Sequence, residues 1–154
     1  MFDIHATQFP RDGGNRLQIG RMTFFEKMCA KDTQGAYCVM EAIVPQESGS
    51  GLHRHWSYDE AAFVLSGRFA CHVDGADVAL CVGESVYWPR GAIHKFRCVG
   101  PEDGRILFIC SPGRIFEEFF AEVGTSSVDG GTAVSGPADH FRTIAARHGI
   151  EFLA

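Results

Sequence analysis

His53-Arg54-His55-Trp56-Ser57-Tyr58-Asp59-Glu60, with six residues between Glu60 and Gly67, is the stretch on which the reading of this chain turns. On a β-strand, residues i and i+2 share a face, so His53 and His55 present both imidazoles to the same side. Glu60 heads the next apolar run, Ala61-Ala62-Phe63-Val64-Leu65. A second stretch begins at Gly83, continues through Pro89-Arg90-Gly91 and reaches His94. Three imidazoles and one carboxylate suit a first-row transition metal: imidazole is a borderline nitrogen donor, and the carboxylate offsets positive charge. Four protein ligands leave positions open on an ion that prefers five or six.

Working outward, short apolar runs are broken by turn residues from about residue 21 to 111. Candidate strands cover 21–28, 36–44, 52–56, 60–66, 68–74, 76–82, 85–88, 94–99 and 104–110. Many short strands at near-regular spacing point to an all-β sandwich or barrel, not to βαβ units. Asp74-Gly75 between two alternating runs is a hairpin signal. Residues 1–20 read as polar, with no strand. Helical period appears near the end, where Ile115, Phe116, Phe119, Phe120 and Val123 fall on one face. Ser111-Pro112 opens that helix and Gly124 can close it. Residues 125–136 read as a loop, and a second helix runs from Pro137 to about His148, closed by Gly149.

The two stretches resemble the paired motifs of the cupins, G(x)5HxH(x)3-4E(x)6G and G(x)5PxG(x)2H(x)3N. The fifteen residues between Gly67 and Gly83 match the short spacer of small microbial cupins. The resemblance implies a double-stranded β-helix, the cupin jelly roll, over roughly residues 20–112 of a single domain spanning 1–154. Two short C-terminal α-helices would occupy an extension over 113–154. His53, His55, Glu60 and His94 would then hold one divalent transition metal ion per chain: Fe, Mn, Ni, Co, Cu or Zn. Two positions depart from the pattern. Glu47 stands where the first motif has glycine, and Gly49 and Gly51 are available for the turn. Cys98 stands where the second motif ends in asparagine; by strand parity it faces the barrel interior, as a small apolar filler or a thiol near the metal. Asp59 also falls in the window for the carboxylate, but Glu60 keeps the spacing to Gly67.

Composition narrows the partners. The 154 residues carry a formal charge of −5, which disfavours phosphate backbones and anionic lipid surfaces, so neither nucleic acid nor membrane is expected. The six cysteines include no CxxC pair. No secretory signal is recognised at the start, so free thiols in a cytoplasmic protein are the simplest expectation. Parity places Ala62, Val64, Phe96, Met40 and Cys38 as candidate pocket walls, with Trp88 either at the rim or in the core. Phe63, Leu65, Phe69 and Cys71 would face outward, an apolar surface that, with the family resemblance, points to a homodimer.

The resemblance is nearest to small quercetinase-like cupins, whose C-terminal helices share the Phe116-Glu117-Glu118-Phe119-Phe120 pattern. It implies a metal-dependent oxygenase acting on a small phenolic or enol-containing compound, with Glu60 as both ligand and catalytic base. A non-oxidative isomerase, lyase or cyclase is the alternative enzyme. A small-molecule-binding cupin without catalysis is the third reading.

Overall fold

The computed structural model describes residues 6–11, 14–125 and 138–153. Among the described residues, eleven strands and two α-helices run in the order β1 (Arg16–Ile19), β2 (Met22–Met28), β3 (Cys38–Val44), β4 (His53–His55), β5 (Asp59–Ser66), β6 (Phe69–Val73), β7 (Ala76–Leu80), β8 (Ser85–Trp88), β9 (His94–Cys98), β10 (Gly104–Ser111), α1 (Arg114–Thr125), α2 (Ala138–Arg147) and β11 (Ile150–Phe152). They form a six-stranded sheet ordered β1-β2-β3-β10-β5-β8 and a five-stranded sheet ordered β11-β4-β9-β6-β7. The two sheets make the jelly roll that the resemblance implies. None of the described helices is long and apolar enough to cross a membrane.

Alternation sets what each strand buries. On β3, Cys38, Met40, Ala42 and Val44 point into the interior, and on β10, Ile106, Phe108 and Cys110 do the same. The Asp74-Gly75 turn forms as expected: Val73 pairs with Ala76, and both turn residues have positive φ, as a type I′ hairpin requires.

Four expectations need correction. First, β1 forms inside the segment read as polar, because Leu17 and Ile19 pair with Phe24 and Met22 in a hairpin on β2. Second, β11 pairs with β4 across almost a hundred residues of chain, Ile150 opposite His55 and Phe152 opposite His53. Three residues after a glycine are too short to read as a strand without their partner. Third, Phe69 and Cys71 point inward, at 0% and 1% exposure, whereas Phe63 and Leu65 do face outward. The chain changes sheet between β5 and β6, so the parity of one strand does not carry into the next. Fourth, α1 continues through Gly124 to Thr125. The rest of the expected 125–136 loop and the Pro137 helix start lie outside the described residues.

The left-handed turn that the first motif assigns to glycine is made by Glu47, at φ 63°. Its backbone N–H donates to the Cys98 carbonyl at 3.0 Å, and its carboxylate pairs with Arg97. Gly49 meets a different demand. A Cβ there would lie 2.0 Å from the Phe96 carbonyl oxygen, so only glycine lets this rim segment press against β9.

Candidate metal centre

The two motif stretches meet across one strand pair. His53 on β4 stands opposite His94 on β9, with His55 two residues along on the same face. Glu60 comes from the other sheet and faces them. The four candidate donor atoms lie within 4.8 Å of one another, and all four residues are buried. The Glu60 Oε2 is 3.2 Å from His55 Nδ1 and 3.5 Å from His94 Nε2.

Neighbouring carbonyls orient two of the imidazoles. His53 Nδ1 lies 2.8 Å from the Gly51 carbonyl, and His94 Nδ1 lies 3.0 Å from the Ala92 carbonyl. An N–H donated there leaves Nε2 as a lone pair, the tautomer a metal needs. Burial, followed by the neighbouring His94 and His55, pushes the His53 pKa down to about 3. Burial and then His94 push that of His55 down to about 2. Both are therefore neutral donors at physiological pH. His94 Nε2 is buried with no hydrogen-bond partner, an orphan that an ion among these four donors would satisfy. The residues thus fit a divalent first-row ion on donor chemistry, convergence and burial together.

Asp59, the competing carboxylate, is turned away. Its Oδ1 accepts from the Arg90 backbone N–H at 2.8 Å and its Oδ2 from the Arg90 guanidinium at 2.8 Å. The same arginine holds its pKa down to about 2. This clamp fixes the Pro89-Arg90-Gly91 turn to the start of β5. The Gly91 N–H donates to the His55 carbonyl at 2.6 Å, which ties the turn to β4 as well.

Each imidazole lies on an aromatic plate. Tyr58 stacks on His55 at 4.3 Å, Trp88 on His94 at 4.8 Å, and Phe152 on His53 at 5.1 Å. The core reading of Trp88 is thereby met, at 1% exposure. The parts played by Tyr58 and Phe152 were missed. Tyr58 sits inside the motif and offered a signal; Phe152 offered none until β11 was in place.

Above the histidines opens a cavity of about 290 Å³, lined by side chains of the barrel mouth, both helices and β11. Phe116, Phe119 and Phe120 of α1 and Phe141 of α2 roof it. Among the expected pocket walls only Phe96 lines the cavity. Met40, Cys38, Ala62 and Val64 lie deeper, each at 1% exposure or less, where the barrel is filled by side chains. Cys98 is also in that filling, its thiol 3.4 Å from the Glu102 carbonyl. His148 meets the Glu122 carboxylate at 2.6 Å, tying the end of α2 to α1.

A jelly-roll barrel with a buried three-histidine, one-carboxylate cluster at its mouth defines a class of potential metalloproteins. Residues 39–110 match the Cupin_2 family, the cupin domain, and the chain folds as a cupin. The chain is 32% identical over 72 residues to an uncharacterized protein of Methanocaldococcus jannaschii, covering 47% of this chain and 58% of that one. It is 43% identical over 54 residues to an uncharacterized protein of Streptomyces coelicolor, covering 35% of this chain and 50% of that one. It thus spans only about half the length of the curated relatives it matches. Among solved structures it is similar to KdgF from a Halomonas species, with TM-score 0.65, 15% identity, and coverage of 72% of this chain and 99% of that one. It is also similar to the polyketide cyclase RemF from Streptomyces resistomycificus, with TM-score 0.60, 18% identity, and coverage of 70% and 80%. At these identities the likeness is one of fold.

Proposed function

We propose that the protein is a metal-dependent oxygenase acting on a small phenolic or enol-containing molecule. The observation that carries the metal-dependent part is the convergence of His53, His55, Glu60 and His94 within 4.8 Å. The aromatic cavity above them supports the substrate class, since flat rings pack well against phenylalanine faces and edges. A bound divalent ion would supply a Lewis-acid centre that lowers the pKa of a coordinated hydroxyl. Glu60 accepts that hydroxyl proton on its carboxylate, as a general base within the cavity lining. The three imidazoles, each on an aromatic plate and two of them held by carbonyls, keep their positions during this transfer. The phenylalanine roof excludes water from the reacting group.

A non-oxidative isomerase, lyase or cyclase uses the same parts. The observation favouring it is that a carboxylate base already faces an apolar cavity, and proton transfer requires nothing more. Oxygen uptake by metal-loaded protein against a panel of phenols and enols decides between them. Turnover that stops under strict anaerobiosis, while substrate binding persists, supports the oxygenase; turnover unchanged without dioxygen overturns it. Tight binding with no turnover under either condition, surviving Glu60→Gln, identifies a binding module instead.

The same reading includes a homodimer through the outer face of the six-stranded sheet. Phe63, Leu65, Tyr87 and Ile109 are each between 38% and 58% exposed there, and Ala61 pairs directly with both Ile109 and Tyr87. An apolar stripe across neighbouring strands is covered well by a second copy of itself. A monomer by light scattering at micromolar concentration would contradict it.

A further inference from the structure

Eight phenylalanine rings line the cavity, and Arg21 is the sole lysine or arginine among its described lining residues. Arg21 holds the second position of the two-residue turn between β1 and β2, where Ile19 pairs with Met22. Gly20, at φ 58°, takes the first position, the pattern of a II′ hairpin turn. Ile19, Met22 and Phe24 around this turn are buried and line the same cavity. The position of the arginine is thus set by a hairpin that is itself part of the cavity wall.

Six of the other described arginines are engaged. Arg54, Arg90, Arg97, Arg105, Arg114 and Arg147 each pair with a carboxylate. Arg21 makes no such pair among the described residues. An unpaired guanidinium at the mouth of an aromatic cavity, on a chain of net charge −5, is a local exception to a field that repels anions. Guanidinium geometry favours a carboxylate, which it meets with two parallel hydrogen bonds. Apolar walls strengthen such a pair relative to one in open water.

We propose that the molecule this cavity takes is a flat aromatic acid, its ring among the phenylalanines and its carboxylate on Arg21. Its far end, a phenolic or enolic oxygen, reaches the histidine cluster; this last clause rests on the metal-centre reading above. Arg21 is then a specificity-determining residue that selects an anion at the mouth. It takes no part in the proton transfer at Glu60.

The test uses 4-hydroxycinnamate and its neutral amide, 4-hydroxycinnamamide, titrated calorimetrically into zinc-loaded and metal-free protein. The acid should bind at least about tenfold more tightly than the amide, the scale of one charge-assisted pair. Arg21→Gln should remove that preference while leaving the affinity for the amide unchanged, and Arg21→Lys should restore part of it. Arg16→Gln, an exposed arginine of β1 outside the cavity lining, should keep the wild-type preference. Because Arg21 is exposed, added salt should narrow the gap. Equal affinity for acid and amide, no millimolar binding of the acid, or a preference that survives Arg21→Gln overturns the inference. Failure of the metal reading is separately visible. If zinc does not load but the Arg21-dependent preference persists, the metal centre falls and the acid site stands. Stoichiometric zinc without that preference gives the reverse.

Discussion

Glu60 and Tyr58 are two residues apart in sequence and differ in what the interior offers them. Glu60 meets two imidazoles; the Tyr58 hydroxyl is buried with no hydrogen-bond partner, and burial pushes its pKa well above the usual phenol value. Replacing Glu60 by Gln keeps the shape and one donor oxygen but removes the base. Metal binding should survive in weakened form while turnover falls by roughly 10²–10⁴-fold, the usual contribution of a general base. Alanine at His53, His55 or His94 should nearly abolish stoichiometric metal by elemental analysis, since each removes a convergent donor. Full occupancy in a His53/His94 double variant would refute the site. Tyr58→Phe deletes a polar group that gains nothing from the fold, so its stability should equal or exceed wild type, by up to about 1 kcal/mol. A clear drop in the melting temperature would mean that the hydroxyl is hydrogen-bonded in solution.

The elements around the site act through how closely they approach one another. The rim segment 47–51 lies on β9: the Ser50 N–H donates to the Phe96 carbonyl at 3.0 Å, and the Cys98 N–H to the Ser48 carbonyl at 2.8 Å. Gly51 at its end supplies the carbonyl that orients His53. Gly49→Ala would force a methyl group against the Phe96 carbonyl oxygen. Urea unfolding should show a loss of about 1–3 kcal/mol, the range for overpacking, together with weaker metal binding because the displaced rim carries Gly51. Unchanged stability would show that the rim yields freely. The helices α1 and α2 and strand β11 act as one covering unit. Phe119 and Phe141 meet edge-on at 5.8 Å, Phe141 and Phe152 lie 5.2 Å apart, and Phe152 lies on His53.

For the whole molecule, burying two neutral histidines makes metal-free stability depend on pH. The folded-state pKa values of His53 and His55 lie near 3 and 2, below the ordinary 6.5. As pH falls below 6.5, the unfolded chain takes up both protons and the folded chain does not. Stability is therefore fully present above 6.5 and is lost as pH drops toward 3, by about 2.7 kcal/mol per pH unit for the pair. Chemical denaturation of metal-free protein from pH 7.5 to 4.5 checks this. A flat profile would mean that the two rings are not held neutral in the folded state. Saturating zinc should raise stability throughout this range, because the ion binds nitrogens that the folded chain already holds deprotonated.

The barrel and its four candidate donors were legible through the resemblance to the cupin motifs, whose spacings mark short-range geometry. Strand alternation sets His53 and His55 on one face, and the six residues before Gly67 single out Glu60 over Asp59. The Pro89-Arg90-Gly91 turn sets where His94 begins its strand. Such features depend on φ and ψ over a few residues, and side-chain chemistry marks them directly. Phe69 and Cys71 were misplaced because their facing depends on which sheet β6 joins, and alternation within β5 holds no information about that. β11 carries no strand signal of its own, yet pairing with β4 brings Phe152 onto His53. The phenylalanine roof, the exclusion of Met40 and Val64 from the cavity, and the placement of Arg21 at its mouth likewise arise only when distant segments pack. Local dihedral preferences write themselves into neighbouring residues, whereas burial is a property of the segment that happens to lie on top.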